Sequence, residues 1–173
     1  MDGHLFLILI LLCIFTHLVR LNYEILKHKK IIRPTRLTFV IIFTNMFLLW
    51  TTWFLLCELD TFKLTLPAVL KYAGLSFVII GIILFLTALF TIKSLETYEG
   101  SLITNGIYSV VRHPMYLGFL FWIIGMPTFT GGVYSLILIV PFCINILYWR
   151  HLEEIELENR FTDYKFYKKK TLF

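Results

Sequence analysis

Arg112-His113-Pro114-Met115-Tyr116 and Glu153-Glu154 are the residues of this 173-residue chain best equipped for chemistry. A histidine beside an arginine supplies a titratable ring next to a fixed cation. The carboxylate pair supplies acceptors for an ammonium group or for sugar hydroxyls. Tyr108 and Tyr116 add ring faces for stacking or cation–π contact. Pro114 suits the first turn of a helix, where its missing N–H costs nothing. A helix start also leaves N–H groups free and carries partial positive charge, so an anionic group can dock there. Donors, acceptors and aromatic faces together suit an amphoteric, ring-bearing ligand such as a nucleoside joined to an amino acid. These groups stand at the edges of apolar runs, where ionisable side chains are expensive and usually have a task.

The elements that position them are membrane-spanning helices. The chain is 58% hydrophobic and 16% charged, with a mean hydropathy of +0.80, against about 25% charged residues in a soluble domain. An all-α integral membrane protein is expected, and its length predicts a single domain over residues 1–173. Five apolar runs are predicted to cross the bilayer, at about 5–23, 37–57, 66–92, 115–130 and 133–149. The first is read as a retained span rather than a cleaved signal, because Asp2 and His4 replace a basic leader. Pro127 and Pro141 interrupt the last two runs and predict kinked or partly spanning helices there.

Loop charges predict the orientation. Arg20 stands at the end of the first run and Lys27, Lys29, Lys30, Arg33 and Arg36 lie between it and the second, and Arg150, Arg160 and four lysines follow the fifth. Basic loops mark the cytoplasmic side. This places the N-terminus outside and the C-terminus in the cytoplasm, and it explains the net charge of +5 without nucleic acid. Cys13, Cys57 and Cys143 are isolated and form no CxxC, so neither a metal site nor a disulfide framework is expected. His17 is expected to hydrogen-bond to another helix. The lysines at 168–170 are read as a contact with anionic lipid. Residues 150–167 are read as an amphipathic helix at the cytoplasmic interface, and Tyr164 and Tyr167 as interfacial anchors.

Gly131-Gly132 lies near the midpoint between His113 and Glu153. Helices joined there form a hairpin, and arms of about 16 residues rise about 24 Å each. Both open ends therefore return to one face, and the two polar clusters become neighbours around a pocket.

The order Gly106, Tyr108, Arg112-His113-Pro114, Tyr116, Gly118, a hydrophobic hairpin, Glu153-Glu154, Leu157, Phe161, Tyr164 and Tyr167 resembles the isoprenylcysteine carboxyl methyltransferase family and its relatives, the membrane phospholipid methyltransferases. The resemblance implies methyl transfer from S-adenosyl-L-methionine inside the membrane, with the cofactor-binding part at residues 93–167. It implies cofactor contacts from Gly100, Ser101, Leu102, Ile103, Tyr108, the turn His113-Pro114-Met115-Tyr116, and Glu153, to which the neighbouring carboxylate Glu154 is added. It associates Arg150 with the acceptor. The chain departs from the family pattern at Lys93-Ser94-Leu95-Glu96-Thr97-Tyr98, at Thr162 and in ending at Phe173. The first and last of these bear on the acceptor more than on the cofactor.

The acceptor that the resemblance implies is a lipophilic, isoprenylcysteine-like carboxylate, a small molecule or a prenylated chain. A carboxylate needs no general base, and Arg150 or Arg112 could orient it in a guanidinium fork. The alternatives are the amine of a phospholipid head group and another lipophilic alcohol or thiol. An amine would need a base, for which His113 or Glu154 is the candidate. A transporter would carry charges within its spans, and a nicotinamide reductase or a soluble-type methyltransferase has no GxGxxG to support it.

Overall fold

The computed structural model describes residues 3–92 and 102–173, and they fold as helices joined by short loops. Helix α1 spans Gly3–His28, α2 Arg36–Glu58, α3 Ala68–Ile92, α4 Pro114–Thr130, α5 Val133–Arg160 and α6 Tyr164–Lys170, with a single 3-10 turn at Gly106–Ser109 before α4. Four of these, α1, α2, α3 and α5, are long and apolar enough to cross a membrane. At 17 residues, α4 is shorter; its rise of about 26 Å falls just under a hydrocarbon core of about 30 Å. Large apolar side chains such as Phe15, Phe47, Val69 and Phe90 are exposed along α1, α2 and α3. That surface is suited to lipid, and the chain is an integral membrane protein.

Local chemistry sets the helix ends. Thr35 caps α2, its Oγ accepting from the Thr38 N–H while its own N–H donates to Thr38 Oγ. Pro114 occupies the first turn of α4. Gly131 closes α4 at φ 75°, the left-handed conformation in which glycine carries no Cβ penalty. Gly132 then starts α5, completing the hairpin that Gly131-Gly132 implied.

The turn of the hairpin is pinned by the α2–α3 loop. The buried carboxylate of Asp60 accepts from Ser135 N (2.9 Å) and Ser135 Oγ (3.0 Å), capping α5 from outside its own segment. Leu64 N donates to Gly131 O, and Val133 N to Phe62 O, each at 2.8 Å.

Two glycine pairs set the distance between α3 and α4. A Cβ on Gly81 would stand 2.7 Å from Gly118 O, and one on Gly74 would stand 2.7 Å from Gly125 O. The antiparallel backbones therefore touch twice, seven residues apart, as small residues permit between membrane helices. The remaining core gathers α1, α2, α4 and α5 around Trp53, Trp122, Ile146 and Trp149. His17 is buried there and hydrogen-bonded to Asn145 of α5 (3.0 Å), as a histidine in an apolar span should be.

Three expectations change. Residues 150–160 do not begin a separate interfacial helix; they continue α5 without a break to Arg160. Nothing at Arg150 interrupts the ladder, and the chain breaks only where Phe161 becomes extended. At 28 residues, α5 rises about 42 Å, so its last turns project beyond the hydrocarbon core. The fifth run is not partly spanning: Pro141 lies inside an α5 long enough to cross a membrane, whereas Pro127 lies inside the shorter α4. Tyr164 and Tyr167 are not interfacial anchors: both are buried.

Candidate active site

Where the projecting end of α5 meets the start of α4, the two sequence clusters come together. His113 immediately precedes α4 and is buried, with its ring between the two glutamates of α5. Nδ1 lies 4.0 Å from a Glu153 oxygen and Nε2 lies 3.5 Å from a Glu154 oxygen. The Tyr164 hydroxyl is 3.3 Å from the same Nε2. The hairpin brings together residues 40 positions apart, as the spacing required.

The glutamates then diverge. Glu154 is buried and engaged on every side: by Arg112 Nε (3.3 Å), by Lys168 Nζ (2.9 Å) and by the imidazole. The hydrogen bond from His113, with Lys168 next, holds its carboxyl well below the usual carboxylate range, against burial that would raise it. Glu153 keeps 37% of its side chain exposed and faces an open cavity.

Arg112 is equally committed. Besides Glu154, its Nη1 donates to the carbonyls of Lys168 (3.0 Å) and Thr171. Its backbone N–H donates to Leu172 O, and Leu172 N donates back to Val110 O. Tyr167 donates its hydroxyl proton to Tyr108 O. Lys168 also reaches Glu158 at 3.0 Å, so it serves this network rather than lipid. Together these bonds strap α6 and the last residues over the start of α4.

The cavity encloses about 700 Å³, within the range of small-molecule sites, about 300–1,000 Å³. Its polar end is lined by Tyr108, His113, Tyr116 and Glu153, with Leu102 and Ile103 beside them. Its apolar end runs between α2 and α4, past Phe47, Trp50, Phe119 and Trp122. Trp50 and Trp122 meet edge to face with centroids 4.8 Å apart. The Trp122 indole N–H is buried without a partner among the described residues, which leaves one donor for a polar atom entering that end. Burial, with Glu153 nearby, pushes the Tyr108 hydroxyl up, and burial with Glu154 nearby does the same for Tyr164. Both hydroxyls therefore stay protonated.

Of the residues singled out from sequence, Leu102, Ile103, Tyr108, Arg112, His113, Met115, Tyr116 and Glu153 line the cavity. Pro114 is buried beneath it, and Gly100 and Ser101 lie outside the described residues. Three residues stand otherwise than the sequence suggests. Glu154 points away into the α6 network, because its oxygens are taken by three partners. Arg112 is bound to carbonyls and to Glu154, so its fork is not available for a carboxylate. Arg150 is not among the lining residues; its guanidinium stacks on the Phe173 ring, 4.6 Å from the centroid.

Cations that do line the cavity were missed: Arg20 and Lys27 of α1 and Arg160 of α5. Arg20 pairs with Glu24 one turn on and stacks near Tyr23 and Trp149. Its signal in the sequence was an arginine inside an apolar run with an acid four residues later. Tyr164 also lines the cavity, and its signal was its register after the glutamate pair.

Residues 69–166 match the family model described as phospholipid methyltransferase. The chain is 40% identical over 60 residues to protein-S-isoprenylcysteine O-methyltransferase B of Arabidopsis thaliana, covering 30% of each chain. It is 33% identical over 86 residues to protein-S-isoprenylcysteine O-methyltransferase of Schizosaccharomyces pombe, covering 46% of this chain and 34% of the relative. The chain thus spans about a third of the length of these curated relatives. No solved structure matches.

Proposed function

Because the chain belongs to the phospholipid methyltransferase family, we propose that it is a membrane-embedded, S-adenosyl-L-methionine-dependent methyltransferase that O-methylates the carboxylate of a lipophilic, isoprenylcysteine-like acceptor. One observation carries this reading: His113 and Glu153 meet at the polar end of a cavity whose other end is aromatic and apolar. A polar, amphoteric cofactor and a greasy acceptor need such a two-ended space. The relatives named as isoprenylcysteine O-methyltransferases support the choice of acceptor.

The residues at the polar end suit the cofactor. Leu102 and Ile103 offer apolar cover and Tyr108 offers a ring face. Glu153 offers an acceptor for an ammonium or a ribose hydroxyl, and His113, Met115 and Tyr116 close the wall. When bound, the cofactor supplies an electrophilic methyl group on a sulfonium.

The chain's own part is positioning and exclusion of water. Phe119, Trp122 and Trp50 shape the apolar arm and keep it dry. The Trp122 N–H is placed to hold one polar atom of the acceptor. The cations that line the cavity from α1, Arg20 and Lys27, take the part first given to Arg150: each keeps its own carboxylate, Glu24 and Glu156, and draws the acceptor carboxylate as a charge rather than as a free fork. Such an acceptor is already deprotonated, so no base is needed. His113 then serves to hold Glu153 and Glu154 in register.

A second reading, N-methylation of a phospholipid head group, is favoured by the family model and by a carboxylate, Glu153, positioned to receive an amine. Incubation of the purified protein with membrane extract and methyl-labelled cofactor separates the two. Volatile label released by mild base is expected, as from a methyl ester; base-stable label in the lipid fraction would overturn the carboxylate assignment. The reading also places the N-terminus outside, five spans in the bilayer, and α6 at the cytoplasmic face. A cysteine introduced at Lys169 should react with a membrane-impermeant maleimide only from the cytoplasmic side; reaction from outside would reverse the orientation.

A further inference from the structure

Beside the mouth of the cavity, between the end of α1 and the end of α5, lies a second cleft of about 560 Å³. Among the described residues, four cations, Lys27, Lys30, Arg33 and Arg160, line it against a single carboxylate, Glu156, and of these only Lys27 is tied to that carboxylate, at 3.6 Å. A concave surface with four cations and one anion has an excess of donors for an anionic group.

The backbone points the same way. Lys30 sits at φ 57°, the left-handed region that glycine normally fills after a helix. The turn is held by Lys30 N to Lys27 O (2.9 Å) and Ile31 N to Leu26 O (3.0 Å). A lysine in this conformation is strained, and strained residues of this kind gather at ligand clamps. The next residues set the depth. Ile31 and Leu37, which flank Ile32, Arg33 and Pro34 of the cleft in sequence, are both largely exposed, so the cations stand beside apolar surface suited to lipid, as basic residues at the level of lipid phosphates do.

We infer that this cleft binds the phosphate of an anionic bilayer lipid, with Lys30 and Arg33 as the residues that recognise it and Lys27 and Arg160 closing the side shared with the cavity. Basic pockets between membrane helices bind phosphate head groups in this way. The inference stands on the cleft alone and goes beyond the methyl-transfer reading.

The test uses the full chain in phosphatidylcholine nanodiscs doped with phosphatidic acid, with retained lipid read by native mass spectrometry after extraction into detergent. The wild type should retain phosphatidic acid over phosphatidylcholine. The Lys30→Gln/Arg33→Gln protein should lose that preference by about tenfold or more, with an unchanged melting temperature. Lys169→Gln/Lys170→Gln, which removes equal charge from α6, should retain it. Equal retention by the cleft variant, or equal loss in the α6 variant, would overturn the site. Complete displacement by millimolar inorganic phosphate would overturn the lipid assignment and leave a simple phosphate site.

Discussion

Glu153 and Glu154 are adjacent and chemically identical, and the fold gives them opposite tasks. Glu153 faces the cavity, and Glu154 ties α4, α5 and α6 together through His113, Arg112 and Lys168. Glu154→Gln should therefore lower the melting temperature, because it removes the carboxylate that Arg112, Lys168 and His113 share and leaves Arg112 with carbonyls alone. Breaking such a buried network costs about 3–5 kcal/mol. The pH dependence has the same origin. The carboxyl of Glu154 is held below its ordinary 4.5, so the native state favours the ionised form. Its stabilisation is complete above that value and is lost as pH falls below 4.5 toward the depressed one. Thermal melts of the solubilised protein should decline through that acidic window, and the Glu154→Gln protein should decline less. The sequence made both glutamates legible as a pair but not their division. That division depends on which side of α5 receives α6, and α6 is fixed by Arg112 reaching carbonyls 56 and 59 residues away.

At the scale of elements, the hairpin was readable because each of its parts is local. Pro114 starts α4, Gly131 stops it, and two arms of similar length return to one face. The close seam between α3 and α4 was not read, although Gly74, Gly81, Gly118 and Gly125 stand seven apart on their helices. Single glycines in apolar runs look like weak helix formers until a partner helix supplies the reason. Gly81→Ala or Gly118→Ala should push the helices apart, since each new Cβ would fall within 2.7 Å of a partner carbonyl oxygen. Overpacking of this kind costs about 1–3 kcal/mol. Gly3→Ala, which meets nothing within 4 Å, should leave the melting temperature unchanged. The α5 end was misread because its amphipathic pattern suits both an interfacial helix and a spanning helix that emerges into water. Only the unbroken backbone to Arg160 distinguishes the two.

The whole molecule is a membrane bundle with its chemistry at one end. Glycine contacts set α3 against α4, Asp60 pins the far turn of the hairpin, and the C-terminal strap closes the near end. Composition alone pointed to the membrane class, and motif order pointed to the residues that line the cavity. The cavity-lining cations of α1 escaped because Arg20 lies more than 90 residues before Arg112, and no local pattern links α1 to it. Arg150, by contrast, stood beside the motif in sequence yet turns to Phe173 in space. The claim on which everything else depends is that the His113–Glu153 end of the cavity receives the methyl donor. Isothermal calorimetry of the purified protein with S-adenosylhomocysteine tests it directly. Saturable binding is expected for the wild type, weakened about tenfold or more in Glu153→Ala by loss of a charge-assisted hydrogen bond. Absence of binding by a folded wild-type protein, or undiminished binding by Glu153→Ala, would contradict it.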